Sequence, residues 1–226
     1  MNYDWNFARL APYFDAFLSG TGITIELTFL VIIFGTLLGL IVGLMLRNKL
    51  LRSFLFPVVD VLRALPPLVL LLFMYYFLTV QVIGTTVTAF WVCVIAMSLN
   101  LAAFTSELVR SAIENVEASV VDAARALGMS HNQITRHIVL PYVLREIIPG
   151  MTVLYIAMLK MSSLASIINV REVVFTAQTV IADISRSLEA WIVVALVYVA
   201  LVIPSTYGAR RLERWVRRGK ESSKKP

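Results

Sequence analysis

Apolar residues along this chain gather into five long runs separated by short polar stretches. The runs cover about residues 23–46, 54–78, 87–106, 147–168 and 190–208, each near the roughly 20 residues that a helix needs to cross a bilayer. They predict an all-α integral membrane fold with five transmembrane helices. Glu26 is the single charge in the first run, which also carries Gly35, Gly39 and Gly43 at four-residue spacing. Such a row either lets a second helix come close or reflects the ordinary glycine content of membrane spans. The second run contains Asp60, Arg63 and the pair Pro66-Pro67, so its inner portion is predicted to be irregular or buried among other helices. A turn around Gly84 leads to the third run, and Pro149, Gly150 and a central Lys160 interrupt the fourth. Residues 169–189 form a polar segment with no stretch long enough to cross. Residues 1–16, rich in Trp5, Phe7, Tyr13 and Phe14, read as an amphipathic segment at the membrane interface, and they lack the basic start and cleavage site of a signal peptide. Residues 17–208 form the membrane domain, and 209–226 form a basic tail.

Between the third and fourth runs lies the most polar stretch ahead of that tail. Ser119 and Asp122 fit an S-x-x-D capping pattern, Val120 to Leu127 continue a short helix, and Gly128 sits where a left-handed residue would end it. The expected helix spans about 119–128. Ser130 and Gln133 repeat the capping pattern for a second helix, expected to run as far as Pro141. The first helix combines very small side chains (Ala123, Ala124, Gly128) with apolar ones (Val120, Val121, Leu127). That mixture suits docking in a groove of another protein, and it equally suits a connector packed on its own chain.

Charge adds direction to the pattern. The chain is 59% hydrophobic and 15% charged, against about 45–50% and about 25% in soluble domains. Its net charge of +6 is concentrated at the C-terminus, a membrane-surface pattern and not a nucleic-acid one. With five spans, fourteen of the twenty basic residues fall on the side of the 47–52 loop, the 111–146 loop and the tail, and Arg63, Arg110 and Lys160 lie within or at the edge of spans. Three, Arg9, Arg171 and Arg186, fall on the other side. The positive-inside rule therefore predicts the N-terminus outside and the C-terminus in the cytoplasm.

The chain carries no P-loop, no nucleophile with a base and no metal-ligand cluster; His131 and His137 have no carboxylate at ligand spacing. The lone Cys93, in an apolar run, reads as a small buried hydrophobe. The expectation is a non-enzyme with no cofactor or metal of its own. Polar groups at membrane depth are costly and face partners or aqueous cavities. Arg63, Asn100, Glu107, Lys160, Ser162 and Ser163 are the candidates for a translocation path or substrate contact. Within that set, Glu107 reads first as a partner of Arg110 that pins helices, Lys160 as a structural contact near the path, and Asn100 as a path-lining group.

The segment D-A-A-R-A-L-G from Asp122 to Gly128, followed by I-V-L-P, resembles the coupling signature of permease subunits of bacterial ABC importers. The similarity extends to Glu107 and Arg110, to Lys160-Met-Ser-Ser-Leu164, to G-x-x-x-T-I-x-L-T at Gly20 to Thr28 and to R-A-L-P-P-L at Arg63 to Leu68. The last two patterns resemble the polar amino acid branch of that family. The resemblance implies the five-helix type I importer fold, with Ser119, Asp122, Ala123, Ala124, Leu127 and Gly128 as the ATPase-coupling residues. It further implies a cytoplasmic ABC ATPase dimer that uses the ATP, a second permease subunit, an extracytoplasmic solute-binding protein and a location in the bacterial inner membrane, among lipid. The cargo implied is a polar amino acid, with an opine or similar solute as the alternative. Asp122 stands where the family has Glu, Ser119-Val120 where it has Gly-Gln, Ser111 where it has Gly, and Ala64-Leu65 where Gly-Thr is common. These departures favour a paralogous partner permease over an identical copy. A passive channel, a secondary transporter and a membrane scaffold are the competing classes. Neither an inverted repeat nor an acid chain for proton coupling supports the transporter reading.

Overall fold

The computed structural model describes residues 3–78 and 87–222, so the turn expected around Gly84 lies outside the described residues. A 3-10 stretch at Phe7–Tyr13 leads directly into α1 (Phe14–Met45). The helix thus starts well before the first apolar run, and the segment expected at the interface is its lead-in. Pro12 lies within the 3-10 stretch, one residue ahead of Tyr13, the N-cap of α1.

The second run folds as two helices. Asn48 caps α2 (Lys49–Ala64), its side chain accepting from the Leu50 N–H at 2.9 Å. Leu65 then turns extended, as a residue before proline must, and α3 (Pro67–Tyr76) leaves at 108°. The irregularity expected from Asp60 to Pro67 is this bend.

After α4 (Ala89–Glu114) come α5 (Ala118–Ala126) and α6 (His131–Ile134). A π turn at Thr135–Val139 joins α6 to α7 (Leu140–Met161), and a 3-10 stretch, Ser162–Ile168, continues it. The helix expected to stop at Pro141 therefore runs on. Pro141 falls in the first turn of α7, where its ring is harmless, and the wider π turn absorbs the change of register. A short apolar helix, α8 (Val173–Ile184), precedes the long α9 (Ser187–Ser222).

Among the described residues four helical stretches are long and apolar enough to cross a membrane alone: Phe7–Met45, Ala89–Glu114, His131–Ile168 and Ser187–Val216. The bent α2–α3 pair makes a fifth if it counts as one span.

The core is built around α4, which packs on α1, α2, α3 and α7. In its most apolar stretch 72% is buried, against 33% for the first span and 17% for α9. The glycine row of α1 explains the closeness. A Cβ at Gly35 would lie 2.8 Å from Leu101, one at Gly39 2.5 Å from Thr105, and one at Gly43 2.6 Å from Val109. Of the two readings of that row, the structure selects a helix–helix seam.

Candidate coupling and translocation sites

The loop after α4 leaves the bundle through α5. Its N-cap is Glu117, with no side-chain cap bond; Ser119 and Asp122 already lie inside the helix. The expected Ser119/Asp122 cap is therefore corrected. Backbone bonds from Val120 and Val121 to the Glu117 carbonyl put the cap two residues earlier, and Asp122 pairs with Arg125 at 3.1 Å. The C-terminal end agrees with expectation. Gly128 is left-handed, with φ +78°. Its N–H reaches the Arg125 carbonyl at 2.9 Å and the Met129 N–H reaches that of Ala124 at 3.1 Å, a Schellman close. Ser130 and Gln133 form the predicted capping box at the next helix.

The face of α5 divides its small residues. Ala124 is buried in a cluster with Ala112, Ile134, Val139 and Val143, so it packs on its own chain. Ser119, Val120, Asp122, Ala123 and Gly128 are exposed, and Leu127 is 83% exposed. The helix thus packs on its own chain with one side and leaves the other exposed.

The path candidates separate into two groups. Arg63, Asn100 and Glu107 meet between α2 and α4. Glu107 accepts from Arg110 at 2.6 and 2.9 Å and lies 3.6 Å from Arg63, which also faces Asp60 at 3.6 Å. Arg110 continues to Glu114 at 2.6 Å, and Glu114 to Arg52 at 3.6 Å. Phe56 and Phe104 cover these guanidinium groups. The result is a ladder of alternating charge from the α2–α3 bend toward the base of α5. Asn100 is 1% exposed, its amide 3.5 Å from the Leu62 carbonyl and its Oδ1 unpartnered. It sits inside the α2–α4 contact and not on an open wall.

Lys160, Ser162 and Ser163 lie at the end of α7, and Tyr198 of α9 joins them. A cavity of about 360 Å³ is lined by Lys160, Ser163 and Tyr198 with apolar neighbours. Ser162 is buried behind it, donating to the Leu159 carbonyl at 2.7 Å and 3.4 Å from the Tyr198 hydroxyl.

Two fully buried carboxylates escape a reading by sequence. Glu172 caps α8, accepting from the Phe175 N–H at 2.9 Å and facing Thr24 of α1 at 3.4 Å. Burial pushes its pKa up, while the Val174 and Phe175 N–H groups pull it back. Its only local signal is an acid directly ahead of the Val-Val-Phe that opens α8. Glu189 accepts from the Tyr3 hydroxyl and from the Asn6 N–H, and Arg186 reaches the Asp4 carbonyl at 2.5 Å. The hydrogen bond to Glu189 holds the Tyr3 hydroxyl above its ordinary pKa. These contacts clamp the N-terminal residues to the α8–α9 turn. They join residues more than 180 positions apart, which no local pattern encodes.

A bundle of membrane helices that hands a short, capped helix out between two spans is the architecture of a transporter's membrane subunit. The chain belongs to the family described as binding-protein-dependent transport system inner membrane components, whose profile matches residues 35–218. It is similar to the arginine transport system permease protein ArtQ of Bacillus subtilis, 30% identical over 95% of this chain and 97% of that protein. It is likewise similar to the glutamine transport system permease protein GlnP of Escherichia coli K12, 27% identical over 95% and 98%. Its fold matches a chain of the crystal structure of an amino acid ABC transporter with histidines. The TM-score is 0.86 at 29% identity, covering 94% of this chain and 99% of that one. The chain is thus an inner-membrane ABC permease subunit, as its coupling-type segment implied.

Proposed function

We propose that this permease forms half of the pathway of a type I importer for a polar amino acid, energised by a separate ATPase pair. The observation that carries the reading is the outer face of α5. It is a nine-residue helix whose C-terminal end is closed by Gly128 and whose exposed side offers Val120, Ala123 and an 83% exposed Leu127. Such a knob, small-sided with one protruding apolar group, fits a groove on another protein. The distribution of basic residues supports an orientation with α5 and the C-terminus in the cytoplasm, where ATP is.

In this reading the ATPase dimer closes on ATP, pulls on α5 and shifts the spans between inward-open and outward-open states. An extracytoplasmic binding protein delivers the solute, and a paralogous permease supplies the other half. The arginine and glutamine permeases among its relatives support an amino acid cargo, with an opine-like solute as the alternative. The groups offered to the path are those of the Lys160–Ser163 cavity with Ser162 at its back, while the Arg63–Glu107 ladder and Asn100 hold α2 against α4.

Leu127→Arg tests the central claim, because the side chain touches little of its own protein. The purified, reconstituted complex should lose at least about tenfold in ATPase retention and in substrate-stimulated hydrolysis, with thermal stability of the permease unchanged. Wild-type coupling in Leu127→Arg would remove α5 as the docking element.

A further inference from the structure

Between α1, α7 and α9 runs a groove of about 720 Å³. Phe29 and Ile32 of α1, Ile148 of α7 and Leu212 of α9 are among its walls. Its polar side chains are already satisfied within the chain. Thr36 and Tyr155 bond each other at 2.9 Å, Thr28 donates to the Thr24 carbonyl, Ser205 to that of Leu201, and Thr152 to that of Pro149. The occupant that such a surface accepts has hydrocarbon and no hydrogen bonds to offer. The α1 wall runs from Ile25 to Leu40, about 22 Å at the helical rise, which accommodates an acyl chain of one leaflet of a roughly 30 Å hydrocarbon core.

The α9 end of the groove has a different chemistry. Gly208 lines the groove, and a Cβ there would meet nothing within 4 Å. Arg211 and Trp215 follow it at i+3 and i+7, on the same stripe of α9. With Tyr207 and Arg214 they line a second cavity of about 530 Å³. Glu213, the one acid nearby on α9, is turned inward to Thr152 at 2.5 Å and stands between α7 and α9. Arginines beside Trp and Tyr at the end of a span are the setting in which anionic headgroups are held.

We propose that this groove is a binding site for one anionic phospholipid, with an acyl chain along α1, α7 and α9 and the phosphate on Arg211 and Arg214. Charge complementarity selects this occupant over a zwitterionic lipid, and the bonded polar groups of the groove leave nothing for a peptide to pair with. The choice of the cytoplasmic leaflet rests on the orientation proposed above; retention of the lipid and its charge preference do not, so the two readings fail separately.

The test is native mass spectrometry of the assembled, detergent-purified complex, delipidated and then offered phosphatidylglycerol and phosphatidylethanolamine in equal amounts. The wild type should retain one phosphatidylglycerol per permease subunit, at least about tenfold over phosphatidylethanolamine. Gly208→Phe, which fills the groove, should lower that retention at least about tenfold, whereas Leu196→Phe, on exposed α9 surface outside the groove, should not. The double variant Arg211→Gln/Arg214→Gln should bind both lipids alike, and it leaves the groove itself intact. Equal retention of both lipids by the wild type would overturn the proposal, as would unchanged retention in Gly208→Phe. So would an efficient disulfide between Gly208→Cys and a cysteine placed in the second permease subunit, because protein would then cover the groove.

Discussion

The α1–α4 seam and the α5 helix are both made of small residues, and they use them in opposite ways. In the seam every glycine is consumed internally: Gly35, Gly39 and Gly43 let α1 lie against Leu101, Thr105 and Val109 of α4. In α5 only Ala124 is consumed that way, while Ala123, Leu127 and Gly128 stay outside. Small side chains announce a close approach but not the identity of what approaches. That identity is set by whether an apolar partner from the same chain is within reach. The seam has one along its whole length. The α5 helix rests on the 131–143 segment with one face and presents the other to solvent.

The largest expected effect lies in the seam. Gly39→Val places a Cβ 2.5 Å from Thr105 and 2.8 Å from the Ala102 carbonyl, with backbone unable to yield. It should cost about 3 kcal/mol and nearly abolish recovery of folded permease. Gly22→Ala, where a Cβ meets nothing within 4 Å, should be recovered like the wild type. Equal recovery of both, measured by fluorescence size-exclusion chromatography, would dissolve the seam.

Next comes Ala124→Trp, which overfills the cluster of Ala112, Ile134, Val139 and Val143. It should cost about 2 kcal/mol locally and open the 115–140 loop to protease, with the spans still inserted. If Ala124 instead met only an ATPase, proteolysis of the free permease would be unchanged. Leu127→Arg and Ala124→Trp thereby separate the two faces of one helix.

The charge ladder lies between the two regions. Glu107→Gln removes the carboxylate shared by Arg63 and Arg110 and should lower the yield of assembled complex roughly fivefold, the factor of about 1 kcal/mol. Substrate preference in uptake assays should not change. Altered selectivity with normal assembly would move Glu107 from structure to recognition.

The smallest effect belongs to Gly128→Ala. The left-handed φ of +78° penalises a Cβ by about 1 kcal/mol, although no neighbour would touch it. Coupling should fall severalfold, read as substrate-stimulated ATP hydrolysis. A stability gain, the usual result of glycine to alanine in a helix, would show that the end of α5 rearranges.

What the sequence by itself determined is whatever depends on neighbours along the chain. Hydropathy located four long apolar helices and the bent α2–α3 pair, because a spanning helix must present some 20 apolar residues whatever it packs against. The Pro66-Pro67 pair marked the second run as irregular where α2 and α3 part, and Gly128 and the Ser130–Gln133 pair predicted their caps, because these act through backbone within a few residues. Tertiary structure alone decided the rest. It put Ala124 inside and Leu127 outside, selected Glu117 over Ser119 as the start of α5, and drew Asn100 into the α2–α4 contact. It also buried Glu172 against Thr24 and Glu189 against Tyr3. Each of these outcomes turns on which surface covers a residue, and the covering atoms come from helices dozens to nearly two hundred positions away. Periodicity shows that a face will be covered, and only the folded arrangement supplies what covers it.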